Sequence, residues 1–509
     1  MLLPDLLTRA ASRNADAPAV IERAGTISYG DLERRANQVS HLLTGSGVRR
    51  GDRVLLACEN SAAWVSAFFG IMKAGGVVVP LPHSTRNDRL EHAVADAAPS
   101  ASIVDARLVP ALGSLPGVKN LFTVGPDPSP ADAGASTSLK RALTGMPSEA
   151  PPRHGIDLDL AAIIYTSGST GAPRGVMLSH LNLCANTESI VEYLQLTSAD
   201  RVMSVLPLYY VYGLSLLNTH ISVGGSIVLE NRFAFPASAL KAMQTHGVTG
   251  FAGVPSTFAF LLHRSPVATM TFPSLRYVTQ AGGPMAPAHI REWRAAMPGV
   301  PFYVMYGATE AGARLTFLEP SELDRRPGSI GKAIPNVELR VVTEDGRLAA
   351  AGEVGELVAR GSNISTGYWN HPEETQAAFS AAGYRTGDLA YADEDGFLYL
   401  VGRRHDMLKV GAHRVGAREI EDVISEHPSV HEVAVIAGAH ALLGEVPIAV
   451  VTPRNGVIDG AELLEFCRAR LPEHKVPSRI VVRDELPKSG AGKVDKNQLR
   501  AAIPLEVRA

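Results

Sequence analysis

Residues 165–180 read YTSGSTGAPRGVMLSH, directly behind the apolar run LAAII. Seven of the first eleven residues are Gly, Ser or Thr, and one cation, Arg174, follows a proline. The apolar run predicts a buried strand, and the stretch after it predicts an anion cradle. Hydroxyls of Thr166, Ser167, Ser169 and Thr170 supply donors, while Gly168 and Gly171 let backbone approach closely. It is not a Walker-type loop. That loop needs G-x-x-x-x-G-K-[ST], and the second glycine would fall at Pro173 or Val176.

Working outward, the chain has 509 residues, 46% of them hydrophobic, which predicts two or three domains with large cores. A net charge of −3 gives no basic excess for nucleic acid and no polyelectrolyte tail. Three scattered cysteines, Cys58, Cys184 and Cys467, make neither a disulfide framework nor a thiolate zinc site. They point to a reducing cytoplasm. The first residues, MLLPDLLTRAASRN, lack the pattern of a signal peptide. The most membrane-like run, residues 64–81, is broken by Lys73 and two glycines, so a buried helix, a turn and a buried strand are expected there.

Ser28 and Asp31 have the S-x-x-D form of a helix start, followed by Leu32, Ala36, Val39 and Leu43 at helical spacing. Residues 52–58, 101–106, 226–230 and 276–282 read as strands alternating with helical patterns, hence α/β with partly parallel sheets. Residues 125–152, rich in Pro, Ala, Gly and Ser, read as a surface excursion. After Asp388 the pattern turns to short alternating strands, with helices near 416–426 and 460–470. The expected organisation is a large domain over 1–403 and a small α+β domain over 404–509, joined at GRRHDMLKVG.

Further motifs follow in order: LPLYYVYGL (206–214), QAGGPMAP (280–287), YGATE (306–310), YRTGDLA (384–390), GRRHDMLKVGAHRVGAREIE (402–421) and PKSGAGKVDKNQLR (487–500). With the loop at 165–180 they resemble the ordered signatures of the adenylate-forming (ANL) superfamily, which includes acyl-CoA synthetases, the adenylation domains of peptide synthetases and firefly luciferase. The resemblance spans nearly the whole chain. It implies a large N-terminal adenylation domain with several sheets and helices, a small mobile C-terminal lid, and a site between them using ATP, Mg²⁺ and coenzyme A.

It also implies roles for individual residues. Residues 166–174 would hold the β- and γ-phosphates, and Glu310, with Thr166, would hold Mg²⁺. Tyr306 would stack on the adenine, Gly282 and Gly283 would border adenine and substrate, and Gly307 and Thr309 would belong to the same nucleotide site. Asp388 and Arg403 would meet the ribose. Lys493, on the glycine-rich SGAGK loop, would stabilise charge during adenylation. The lid would turn about His405, carry Lys493 away and bring in the segment around Lys409, with Gly411 beside a pantetheine tunnel. His413, Arg414 and Arg418 are candidates for the phosphates of coenzyme A.

Three positions depart from the family pattern. Arg174 stands where a lysine is usual, and a planar fork grips phosphate differently from a point charge. Tyr210 stands where many acyl-CoA synthetases have His, and His405 where the hinge is usually Asp or Lys. Amino-acid-activating relatives place an Asp in the segment matching 206–214, because a buried ammonium needs a partner. This chain has no Asp or Glu between 201 and 229. An acid with an apolar body is therefore expected, with Tyr210, Val211, Leu214 and Ala281 lining its pocket. The expected acceptor is free coenzyme A, since no carrier domain follows the Lys493 motif. Loading a separate acyl carrier protein is the alternative, and a homodimer is left open. Rivals are an oxidising or light-emitting enzyme and a non-catalytic binder, the latter disfavoured by the retention of Lys493, Glu310 and Asp388.

Overall fold

The computed structural model describes residues 1–85, 87–113, 115, 117–125, 136–167, 173–233, 235–404, 407–411, 413–440, 443–454, 456–488 and 494–507, without the side chains of Asn87, Ser167, Arg414, Glu506 and Val507. The run before the anion cradle is the strand Leu160–Ser167, and the strand Pro173–Ser179 returns antiparallel beside it. The cradle therefore joins two strands of a hairpin rather than a strand to a helix. The helix His180–Leu194 begins only after the second strand. It is capped reciprocally, the Ser179 side chain accepting from Asn182 N while the Asn182 side chain accepts from Ser179 N.

Among the described residues the strands form three sheets. The first, of seven strands, is parallel through Arg53–Ala57, Val77–Pro80, Ala101–Asp105 and Leu121–Val124, and ends on the hairpin. Its outermost strand, Pro173–Ser179, is covered by residues 367–369. Trp369 N donates to Gly175 O (2.7 Å) and Met177 N to Gly367 O (3.0 Å), with a bridge between Val176 and Tyr368. The second sheet, of fourteen strands, has a parallel core through Ser226–Leu229, Arg201–Ser204, Gly250–Gly253, Tyr277–Gln280 and Phe302–Tyr306. It continues as antiparallel strands to Gly383–Ala392 and Leu398–Arg403.

The expected helix after Ser28 is Tyr29–Gly45, with Ser28 accepting from Asp31 N. The membrane-like run is the helix Ala62–Lys73 followed by the strand Val77–Pro80. Ten of that helix's twelve residues are buried, because it lies inside the core. A Cβ on Gly70 would lie 2.5 Å from Val39 Cβ, so the glycine is what lets this helix cross Tyr29–Gly45 closely. No described helix is long and apolar enough to cross a membrane. Cys58, Cys184 and Cys467 are free and buried.

The third sheet, of six strands, belongs to residues 408–507, with the anticipated helices Ala417–Ser425 and Gly460–Arg468. A third helix, Lys496–Ala502, was not anticipated; Asp495 caps it. This small domain has its own core around Ile420, Ile424, Val435 and Val451. It meets the large domain where Arg454 pairs with Glu292 (3.4 Å), His431 lies edge-on to His263 (5.1 Å between ring centres), and Arg418 donates to Gly328 O (3.5 Å). The result is mixed α/β, a large N-terminal domain with a small C-terminal one.

Candidate active site

The hairpin sets the first relationship. Thr166 and Arg174 are cross-strand partners and so project to the same face. The Arg174 guanidinium lies over the Tyr368 ring, 5.4 Å from its centre. Tyr368 in turn donates its hydroxyl to Glu310 Oε1 at 2.9 Å. One tyrosine thus ties the loop cation to the carboxylate expected to serve a metal. Glu310 sits in a short 3₁₀ turn, Thr309–Ala311, immediately after the strand Phe302–Tyr306. Its carbonyl accepts from Ser365 N at 2.7 Å, which fixes the turn.

A second chain of contacts starts at the end of the same strand. Tyr306 donates to Asp388 Oδ2 (2.5 Å), and Arg403 Nε lies 3.2 Å from Asp388 Oδ1. Asp388 and Arg403 are themselves register partners on adjacent antiparallel strands. Asp388 is buried, and Arg403 is its ion-pair partner. Burial pushes the Tyr306 phenol well above its usual value, and Asp388 beside it adds to the effect. The Asp388 carboxylate raises Arg403 further. Buried Tyr384 joins the two chains, its phenol pushed well up by burial and then by Glu310, Tyr368, Tyr306 and Asp388. Arg174, Tyr368, Glu310, Tyr384, Tyr306, Asp388 and Arg403 therefore form one line of anions, cations and phenols.

The glycines of YGATE and QAGG have separate reasons. A Cβ on Gly307 would fall 1.8 Å from Ala313 O, so no side chain fits there. Gly282 has φ +86°, a left-handed turn after the strand Tyr277–Gln280, and Gly283 O accepts from Gln280 Nε2 (2.7 Å). Tyr210 precedes the helix Val211–Val223 and packs on Tyr209 at 4.6 Å. Leu214 and Ala281 are buried in the main core, with Val211 half-buried against it.

In the small domain, Lys409 is exposed on a short hairpin, its N–H donating to Glu445 Oε2 (2.6 Å). Gly411 N donates to Leu443 O (2.8 Å), with φ +55°. Among the described residues, no hydrogen bond or ion pair joins either to the line above. Arg418 is held 3.7 Å from Asp422, and His413 stacks on His474 (4.1 Å). Gly168, Ser169, Thr170, Gly171, His405 and Lys493 lie outside the described residues, as do the Ser167 and Arg414 side chains. Tyr368 and Tyr384 were not singled out from sequence. Tyr384 stands inside the quoted YRTGDLA, but nothing local marks Tyr368, which finds Glu310 across 58 positions.

The donor set suits Mg²⁺. That ion takes one or two carboxylates, keeps several waters and leans on substrate phosphates. Glu310 supplies one carboxylate beside a hydroxyl- and cation-bearing hairpin, and the described residues hold no group of three or more His, Cys, Asp or Glu that could bind a metal ion by themselves.

Comparison with known proteins shows the family. Residues 7–369 match the AMP-binding enzyme family and residues 419–493 the AMP-binding enzyme C-terminal domain. The chain belongs to the AMP-binding enzyme family, within the adenylate-forming superfamily. It is 30% identical to a long-chain-fatty-acid–CoA ligase of Bacillus subtilis (strain 168), covering 98% of this chain and 94% of that one. It is 32% identical to a feruloyl-CoA synthase of an Amycolatopsis species, covering 97% of each. The ATP-bound crystal structure of MatB from Rhodopseudomonas palustris superposes with a TM-score of 0.89 at 32% identity, over 99% of both chains.

Proposed function

We propose that this enzyme activates a carboxylic acid with ATP to an acyl-adenylate and passes the acyl group to coenzyme A. The observation that carries the reading is the line from Arg174 through Tyr368 and Glu310 to Asp388 and Arg403. In this reading Arg174 serves phosphate, Glu310 a metal and Asp388 ribose; Tyr368 links the first two, and Arg403 pairs with the third. The relatives, named as CoA ligases, support it.

In the first half-reaction a carboxylate oxygen attacks the α-phosphorus, and the bond to the β-phosphate breaks as pyrophosphate leaves with the electron pair. Little covalent help is needed, so catalysis is positioning and cationic stabilisation. Arg174 and the hairpin hydroxyls hold the terminal phosphates, Asp388 accepts from the ribose with Arg403 behind it, and Lys493 meets the charge on the transferring group. Mg²⁺, when bound, neutralises phosphate charge from the Glu310 side, with Thr166 nearby. Tyr368 holds the Glu310 carboxylate in place.

In the second half-reaction the thiol sulfur attacks the acyl carbonyl, its proton passes to solvent, and the bond to AMP breaks. We assign residues 404–509 as the lid that turns about His405, bringing Lys409 and Gly411 to the acyl group. Free coenzyme A is the acceptor in this reading, and discharge onto a carrier protein is the alternative. The acid carries no α-ammonium, because residues 201–229 offer no carboxylate to meet one. The three buried free thiols support a reducing, cytoplasmic setting. A panel of carboxylic acids with ATP, Mg²⁺ and coenzyme A, scored by pyrophosphate release and by mass of the thioester, tests the reading. Pyrophosphate without thioester, discharged only by a holo carrier protein, favours the alternative.

A further inference from the structure

Arg314 is the one lysine or arginine among the buried described residues, at 2% exposure. Other buried charges have partners: Asp388 has Arg403, Asp200 has Arg276, and Glu356 has Arg385. Arg314 has no carboxylate within ion-pair distance among the described residues, and its Nε is buried without an acceptor. Its guanidinium lies over the Tyr212 ring, 4.8 Å from the centre, with the Tyr193 phenol alongside. Aromatic faces offset part of the cost of burying a cation, but they do not replace a counter-ion.

The backbone is constrained to hold Arg314 there. Two residues before it Gly312 has φ +66°, and Ala313 has φ +143°, a left-handed-side conformation that alanine rarely adopts. Two buried asparagines clamp this turn. Asn186 Nδ2 donates to Ala311 O (3.3 Å) and Arg314 O (3.0 Å), and Asn363 Nδ2 to the same two carbonyls (3.0 and 3.1 Å).

The turn also places Arg314 at the acid's end of the site. A Cβ on Gly307 would lie 2.9 Å from Arg314 Cα, so the turn abuts the YGATE strand. Tyr212, under the guanidinium, follows Tyr210 and Val211 directly. Its hydroxyl meets Thr279 O and Oγ1 at 3.0 Å each, two residues before Ala281. Arg314 thus stands behind the helix start and the strand end assigned to the acyl pocket.

Resting on the ligase reading above, we infer that Arg314 determines specificity: its guanidinium pairs with a second carboxylate at the far end of the acid, so the preferred substrates are dicarboxylates activated at one end. The non-reacting carboxylate supplies the missing anion, and the apolar wall of residues 206–214 covers the body between the two ends.

The test compares dicarboxylates with their monomethyl esters and with monocarboxylates of equal length, in straight-chain and benzene series. ATP, Mg²⁺ and coenzyme A are present, and thioester is read by mass. Wild-type enzyme is expected to favour the free dicarboxylate at least 10-fold in kcat/KM in one series. Arg314→Met is expected to remove that preference by raising KM for the dicarboxylate relative to the monocarboxylate. Thioester formation from esters and monocarboxylates with no gain from the second carboxylate overturns the inference and leaves the ligase reading standing. No thioester or pyrophosphate from any acid overturns both. Absence of the preference in wild-type enzyme overturns the inference even if Arg314→Met does not fold.

Discussion

Tyr306 and Asp388, 82 positions apart, share a hydrogen bond of 2.5 Å, and Arg403 approaches the other oxygen of the same carboxylate. A carboxylate accepts about four hydrogen bonds, so lone pairs remain for ribose hydroxyls while its orientation is already fixed. Tyr306→Phe keeps the ring and removes the donor. A hydrogen bond to a charged group contributes about 1.5–3 kcal/mol, so AMP affinity should fall roughly 10-fold or more. The KM for the acid should stay near wild type. Calorimetric titration with AMP reads this directly; unchanged affinity would mean that Arg403 alone holds Asp388.

In the proposed site Arg174 serves phosphate from the strand opposite Thr166. Arg174→Ala should raise the KM for ATP by about 10-fold or more, the scale of one lost charge-assisted bond. Arg174→Lys should recover most of that loss. Initial rates of pyrophosphate release against ATP concentration separate the two variants.

In the proposed mechanism Lys493, read from its SGAGK context, serves adenylation alone. Lys493→Ala should abolish acyl-AMP formation, yet a supplied acyl-AMP should still become thioester. Equal loss in both half-reactions would remove the assignment.

Acid should unfold the enzyme through its buried histidines. His180, His220 and His289 are each lowered by burial to about 4. His180 Nδ1 accepts from Leu3 N (3.1 Å), which requires the neutral ring. Unfolded histidine titrates near 6.5, so between pH 6.5 and 4 the unfolded chain binds more protons, and stability falls as pH drops. Above about pH 7 these residues add no slope. Each contributes about 1.4 kcal/mol per pH unit inside the window. His180→Gln should flatten the melting temperature against pH there by one such contribution.

Sequence made the fold legible where signals are local. Ser28 with Asp31, and the apolar runs that became Ala62–Lys73 and Val77–Pro80, needed only neighbours in the chain. The loop at 166–174 reads from sequence as an anion cradle but not as a hairpin, because pairing of Leu160–Ser167 with Pro173–Ser179 is set by registry rather than composition. Tyr368 and Arg314 were not legible at all. In GYWN and AGARL they look like an ordinary aromatic and a loop cation. Their meaning comes from Glu310 and Tyr212, partners brought close only by the folded sheets.

Residues 367–369 do more than carry Tyr368 to Glu310. They occupy the hydrogen-bonding edge of Pro173–Ser179, the strand that would otherwise offer unpaired backbone to another molecule. Gly367 has little freedom to change, since φ is +139° and a Cβ would lie 2.4 Å from Thr375 Cγ2. Damage to this short segment therefore uncaps a sticky edge as it disturbs the site. Inactive variants here will concentrate in the insoluble fraction, and a screen on soluble enzyme alone will undercount how many substitutions the segment rejects.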